Sequence, residues 1–203
     1  MRVLLVVYGS LETLSGGYLY DRTLVRRLEA EGHPVRVHSQ RRRAPYLANL
    51  AGNADPSLIR TAEDWSPDVI VQDELNHPSL FLLNRVLKRR IPAPRIGLVH
   101  HLKSMEEGPA LERAAARRIE RAYLASLDGF IFNSEFTRSS VEEVLGSGLG
   151  GTPGSPAKPW VLALPGKDRL AGFPPGAGSG GRRGRALRIL FLGNVIPRKG
   201  LHV

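Results

Sequence analysis

The chain has 203 residues, of which 42% are hydrophobic and 24% charged, and it contains no cysteine. That is enough apolar material for a core, and it excludes disulfides, thiolate metal sites and cysteine nucleophiles. The net charge of +10 favours phosphate-rich partners, but nucleic acid is set aside, because aromatics are only 6% and do not interleave with the basic runs.

Strand-like and helix-like segments alternate from the start. Arg2–Tyr8 is a continuous apolar run, the pattern of a parallel strand buried on both faces. It is too short for a signal-peptide core, and no other segment approaches the roughly 18 apolar residues of a membrane span. The expected location is therefore cytoplasmic, with peripheral contact to an anionic membrane on its inner face as the exception the charge allows. Tyr18–Glu31 reads as a helix with Leu24, Val25 and Leu28 on one side, ended by Gly32, and Pro34–His38 as a second strand. Ser39–Ala54 has no clear period and reads as a basic loop with about one helical turn.

Asp68–Gln72 is a third strand. Pro78 opens a helix through Arg90, since proline is tolerated in a first helical turn. Arg95–Val99 is a fourth strand, Leu111–Leu127 a long helix, Gly129–Phe132 a fifth strand, and Ser134 caps a helix to about Leu145. Gly146–Pro159 is rich in glycine, proline and serine and reads as a flexible loop, and Trp160–Leu164 as the last strand of the first domain. A second such run, Gly172–Arg185, precedes a fresh strand at Leu187–Leu192. This alternation predicts an α/β fold: a Rossmann-like open parallel sheet with helices on both faces, plus part of a second Rossmann-like domain. The expected boundaries are residues 1–168 for the first domain, 169–186 for the linker and 187–203 for the start of the next.

In such sheets ligands bind beyond the carboxyl ends of the strands, and five candidate segments lie there. Gly16-Gly17 lets backbone N–H groups approach an anion at a helix N-terminus, or forms a plain strand-to-helix turn. Asp73–His77 could position acceptor hydroxyls through Asn76 and His77, or could cap the next helix. Its spacing matches no recognised metal-ligand pattern. His100-His101 ends the fourth strand, and because successive side chains alternate, at most one faces the crevice. Glu106 follows, within reach of an imidazole or a sugar. Asn133-Ser134 is either a helix cap or a ligand contact. Gly193–Gly200 places Arg198 and Lys199 at a helix start, where they could cradle a diphosphate, although the spacing is not that of a P-loop.

Taken in order, SGGYLYDRTLVRRLEAEGHPVRV, RIGLVHHL, DGFIFNSEFTR, VLALPGKDRL and LRILFLGNVIPRKGLHV resemble the segments of family 4 retaining glycosyltransferases, which have the GT-B fold. The resemblance implies an acceptor-side N-terminal domain and transfer of a sugar, with retention, from a nucleotide-sugar donor to a sugar, lipid-linked or metabolite acceptor. It implies no cofactor and no metal, with Arg and Lys stabilising the leaving diphosphate. Lys199 would contact that diphosphate, His100 would sit near the donor sugar or the attacking hydroxyl with His101 in reserve, and Gly16-Gly17 would approach the diphosphate or the acceptor. The family's usual Gly-Arg pair appears here as Gly193-Asn194, with Arg198 as the substitute, and its C-terminal acidic motif is not in the sequence. The expectation is thus a truncated half-enzyme, inactive without a C-terminal domain. The competing expectation is a non-catalytic α/β module that binds a nucleotide or an anionic surface.

Overall fold

The structure, a computed structural model, describes residues 1–146, 149–151 and 157–166. Within Met1–Leu164, six strands form one sheet: β1 (Val3–Tyr8), β2 (Val35–Gln40), β3 (Val69–Asp73), β4 (Arg95–Val99), β5 (Gly129–Phe132) and β6 (Trp160–Leu162). All pairings are parallel, in the order β2-β1-β3-β4-β5-β6. β1 has a neighbour on each side and all six of its residues are buried, which is what its unbroken apolar run requires. β2 lies at the edge and carries the exposed Arg36 and Val37.

The chain leaves β1 towards β2 and returns on the other side of β1 as β3. The strand order therefore reverses between β1 and β3, and a crevice opens at their carboxyl ends. Among the described residues, six α-helices connect the strands: α1 (Gly16–Ala30), α2 (Ser57–Trp65), α3 (His77–Leu80), α4 (Leu83–Arg90), α5 (Ala110–Ser126) and α6 (Glu135–Leu145). Two apolar clusters form the core. One joins Leu4 and Val6 of β1 to α2, α4, α5 and α6, and the other joins Val3, Leu5 and Val7 to the apolar stripe of α1. Successive β1 side chains thus serve opposite faces of the sheet, the period-two rule in a doubly covered strand.

Three local features differ from the sequence reading. Ser57–Trp65 is a helix the pattern did not announce, with Leu58, Ile59 and Ala62 buried on one side. The basic stretch is more ordered than a loop, with a 3-10 helix over Tyr46–Ala54. The single helix expected over 78–90 is broken into α3 and α4. Asn53 breaks it: its Oδ1 accepts from the backbone N–H of Leu82 and Leu83 (2.9 and 3.2 Å), and its Nδ2 donates to the Pro78 carbonyl (2.7 Å). Groups that would have continued one helix are spent on a side chain.

The described ends of the Gly/Pro/Ser stretch are anchored. Leu149 is buried and its carbonyl accepts from Lys158 N–H (2.9 Å). The Lys158 ammonium donates to the carbonyls of Leu124, Ala125 and Leu127, satisfying the open end of α5. The linker at 169–186 and the strand at 187–203 lie outside the described residues.

Candidate functional site

The carboxyl ends of β3, β4 and β5 and the first turns of α1 meet at His100, the first residue after β4. Its Nε2 donates to Oδ1 of Asp21 on α1 (2.9 Å), and its backbone N–H donates to Oε2 of Glu74 just past β3 (2.8 Å). On the β5 side, Asn133 Nδ2 lies 3.4 Å from His100 Nδ1 and from the His100 carbonyl, to which the Thr137 hydroxyl also donates (3.2 Å). Ser134 Oγ accepts the Thr137 N–H (3.1 Å), capping α6. Tyr20 packs edge-on against the imidazole at 5.2 Å, and its hydroxyl donates to the Ala163 carbonyl (2.8 Å). Gly17 lies flat against the ring, where a Cβ would stand 3.4 Å from His100 Cδ2.

Most of the charge in this cluster is out of water. Asp21, Asp73 and Glu74 are 0%, 1% and 3% exposed. Burial, then the charge of Asp21, pushes Asp73 up to about 6. Burial, then the charge of Asp73, raises Glu74 well above the ordinary carboxylate range. The two carboxyls lie close together, and protonating one relieves the repulsion between their charges. Burial works against a charged His100. The hydrogen bond and charge of Asp21, with Asp73 behind it, prevail and raise the imidazole above its ordinary value.

Asp73, Glu74 and His100 each bring a ligand-type atom within 4.8 Å of the others, close enough to consider a cation. Part of this donor set is committed within the fold. Glu74 Oε2 takes the His100 N–H, Asp73 Oδ1 takes the Leu75 N–H (2.9 Å), and His100 Nε2 faces Asp21.

The structure divides the residues singled out in the sequence. It brings together His100, Gly17, Asn133 and Ser134. Gly16 is at the exposed start of α1, with nothing within 4 Å of a Cβ placed on it. His101 is half-buried beside His100, and Glu106 pairs with Lys103 (2.7 Å). Asn76 and His77, expected on the acceptor side, are instead inside the fold. Asn76 donates to Gln40 Oε1 (2.8 Å). His77 is held by the Glu74 carbonyl through Nδ1 (2.8 Å) and by the Tyr46 hydroxyl through Nε2 (2.6 Å). At 0% and 4% exposure they are spent on packing, and the surface offers no access to them. Arg198 and Lys199 lie outside the described residues.

The residue of this cluster that the sequence reading missed is Asp21, and a signal for it was present. Asp21 falls three, four and seven positions before Leu24, Val25 and Leu28, on the stripe that faces the core. A carboxylate on a buried stripe is rarely there for packing. After β2 the chain is basic: Arg41 and Arg42 are exposed, and Arg42 and Arg43 lie near enough to Tyr8, at the end of β1, to act on its charge.

Among the described residues, no helix is long and apolar enough to cross a membrane. A comparison with curated proteins finds no match. The sequence pattern of the glycosyl transferase 4-like domain matches residues 21–148, more than half of the chain and the stretch that holds Asp21, Glu74, His100 and Asn133. With its six-stranded parallel sheet and a polar cluster at the strand ends, the chain belongs to the glycosyl transferase 4-like domain family.

Proposed function

We propose that this domain provides the acceptor-side wall of a site that transfers a sugar, with retention, from a nucleotide-sugar to an acceptor hydroxyl. The observation that carries the reading is His100. It stands at the carboxyl end of β4, beside the crevice where the strand order reverses, with its imidazole held at Nε2 by the buried Asp21 and its backbone N–H held by the buried Glu74. A buried ring held this rigidly pays its ordering cost before the substrate arrives. In this reading His100 offers a hydrogen bond to the transferring sugar or to the attacking hydroxyl. Gly16 and Gly17 open α1 towards the diphosphate or the acceptor, where the helix dipole favours negative charge. Asn133 and Ser134 complete the wall on the β5 side.

Transfer forms a bond between the sugar's anomeric carbon and the acceptor oxygen, and breaks the bond to the donor phosphate. The hydroxyl proton leaves with the nucleoside diphosphate. Charge builds on that leaving group, and the exposed arginines of the loop after β2 raise the local potential for it. By family resemblance Arg198 and Lys199 are assigned to the diphosphate itself, without a metal. The acceptor is a sugar, a lipid-linked sugar or a small metabolite, and the basic surface suits a site next to anionic lipid.

The test is turnover of a panel of sugar nucleotides against acceptors of these three classes, followed as release of nucleoside diphosphate and as glycosylated product by mass spectrometry. Product whose formation requires His100 supports the reading. Saturable binding of nucleotide or anionic lipid with no product under any pairing would favour a non-catalytic binding module.

A further inference from the structure

Asp21 is an expensive residue. It sits in mid-helix with no exposed surface, and its second carboxylate oxygen, Oδ2, is buried without a hydrogen-bond partner. A buried carboxylate with one orphaned oxygen costs the fold stability, and an apolar residue on the same stripe would serve packing better. Its one described hydrogen-bond partner is His100, 79 positions away in sequence. The ring's other nitrogen has only a long contact, 3.4 Å to Asn133 Nδ2, and that contact competes with the His100 carbonyl for the same amide.

We propose that Asp21 is a positioning residue: it holds the His100 imidazole by Nε2–H, fixing the tautomer and the ring plane, so that Nδ1 is the edge presented to an oxygen of the bound sugar or acceptor. The geometry supplies three supports. The Asp21 bond is short and buried. The Asn133 contact on Nδ1 is weak enough for a ligand oxygen to replace it. Gly17 and the edge of Tyr20 leave the ring one slot to occupy. The charged and titratable groups facing the imidazole are Asp21 and Tyr20 from α1 and Asp73 and Glu74 from the end of β3. Asn133 and Thr137 on the β5 side are neutral. The inference rests on the proposed transfer reaction for its purpose, though not for its physical content.

The experiment is a pH titration of the full chain labelled with 15N-histidine, following the His100 ring nitrogens by NMR. In the wild type the neutral form should be the Nε2–H tautomer, with a titration midpoint above that of a free histidine. In Asp21→Asn the amide oxygen still accepts from Nε2–H, so the tautomer should persist while the midpoint falls by about one unit or more, as the loss of an adjacent charge requires. The thermal midpoint should hold or rise, which a purely structural role would not allow. An Nδ1–H tautomer in the wild type, or an unmoved midpoint in Asp21→Asn, would overturn the assignment, and the wild-type spectrum decides even if the variant fails to fold. In turnover, the histidine limb of the pH profile should move down with the NMR midpoint in Asp21→Asn. A moved midpoint with no turnover in either protein would count against glycosyl transfer and leave the pair standing.

Discussion

Two histidines near the carboxyl ends of the central strands, one buried and one mostly enclosed, have opposite electrostatic fates. His77 is enclosed by neutral groups, the Glu74 carbonyl and the Tyr46 hydroxyl, with the rings of Tyr46 and Tyr123 nearby at 5.6 and 6.2 Å. Burial pushes it down to about 4, so it stays uncharged under ordinary conditions. His100 is also largely enclosed, but a carboxylate meets its Nε2, and it moves the other way. Burial alone makes a histidine an inert packing piece. Burial beside an acid makes one whose charged form is favoured, which is what a site working on hydroxyls and phosphates can use.

The sharpest way to break this contrast is to truncate each ring. His100→Ala should lower transfer by about 100- to 1000-fold, the usual consequence of losing one positioned hydrogen-bonding group in a transition state. His101→Ala should cost less. His77→Ala should instead show up in stability. It empties core volume and strands the Tyr46 hydroxyl and the Glu74 carbonyl, for a loss of about 2–4 kcal/mol by denaturant unfolding. Its folded fraction should retain far more activity than His100→Ala. Equal activity of His100→Ala and wild type would remove the histidine from the mechanism.

The second test uses acid. A histidine whose folded value lies near 4 and whose unfolded value lies near 6.5 gives stability that is fully present above 6.5 and is lost as the pH falls towards 4. His77 should therefore contribute a loss of up to roughly 3 kcal/mol across that window. His77→Gln, which does not titrate, should flatten the slope. An unchanged slope between pH 6.5 and 4 would assign the acid sensitivity to other groups.

The acidic pair has the opposite sign. Asp73 is raised to about 6 and Glu74 further, so both favour the fold when protonated and weaken it as the pH rises through their folded values. Asp73→Asn keeps an oxygen for the Leu75 N–H, and Glu74→Gln keeps one for the His100 N–H. Each should raise stability at pH 8 by on the order of 1–3 kcal/mol, and the two gains should not add, because removing either charge also relieves the other. Destabilisation by both at pH 8 would mean that the carboxylates are paired with a cation.

The sheet was legible in the sequence, and the pairing of residues across it was not. Strands such as Val3–Tyr8 announce themselves because a strand buried on both faces must be apolar without interruption. The N-cap at Ser134 was legible for an equally local reason, an oxygen three residues before the amide it satisfies. The break between α3 and α4 was hidden because Asn53, which causes it, is 29 positions away from Leu82. The same limit applied at the site. The segment 73–77 could be placed at a strand end, but which of its side chains turned towards β4 depended on the turn after Asp73. That turn sends Glu74 to His100 and folds Asn76 and His77 inward. Asp21 was the one long-range partner with a local clue, a charge on an apolar stripe.

The smallest expected effect separates the ring from the start of α1 that packs on it. Gly17 is the second residue of α1, with a negative φ, and a methyl there would meet His100 Cδ2 at 3.4 Å, an ordinary contact. Alanine also favours the helix by about 0.5–1 kcal/mol over glycine, so Gly17→Ala should raise the thermal midpoint slightly. Its backbone N–H is unchanged, and an anion held by that N–H would keep its donor. Transfer should therefore fall by less than about 10-fold, a barrier change under about 1.4 kcal/mol. Gly17→Val should do more, because its extra methyl would press on the imidazole and disturb the Asp21 bond. If Gly17→Ala instead matches His100→Ala in damage while the His100 titration stays as in the wild type, the ligand approaches the α1 backbone closer than a methyl permits. The bare glycine surface, and not the imidazole, would then be the main binding element on this side of the crevice.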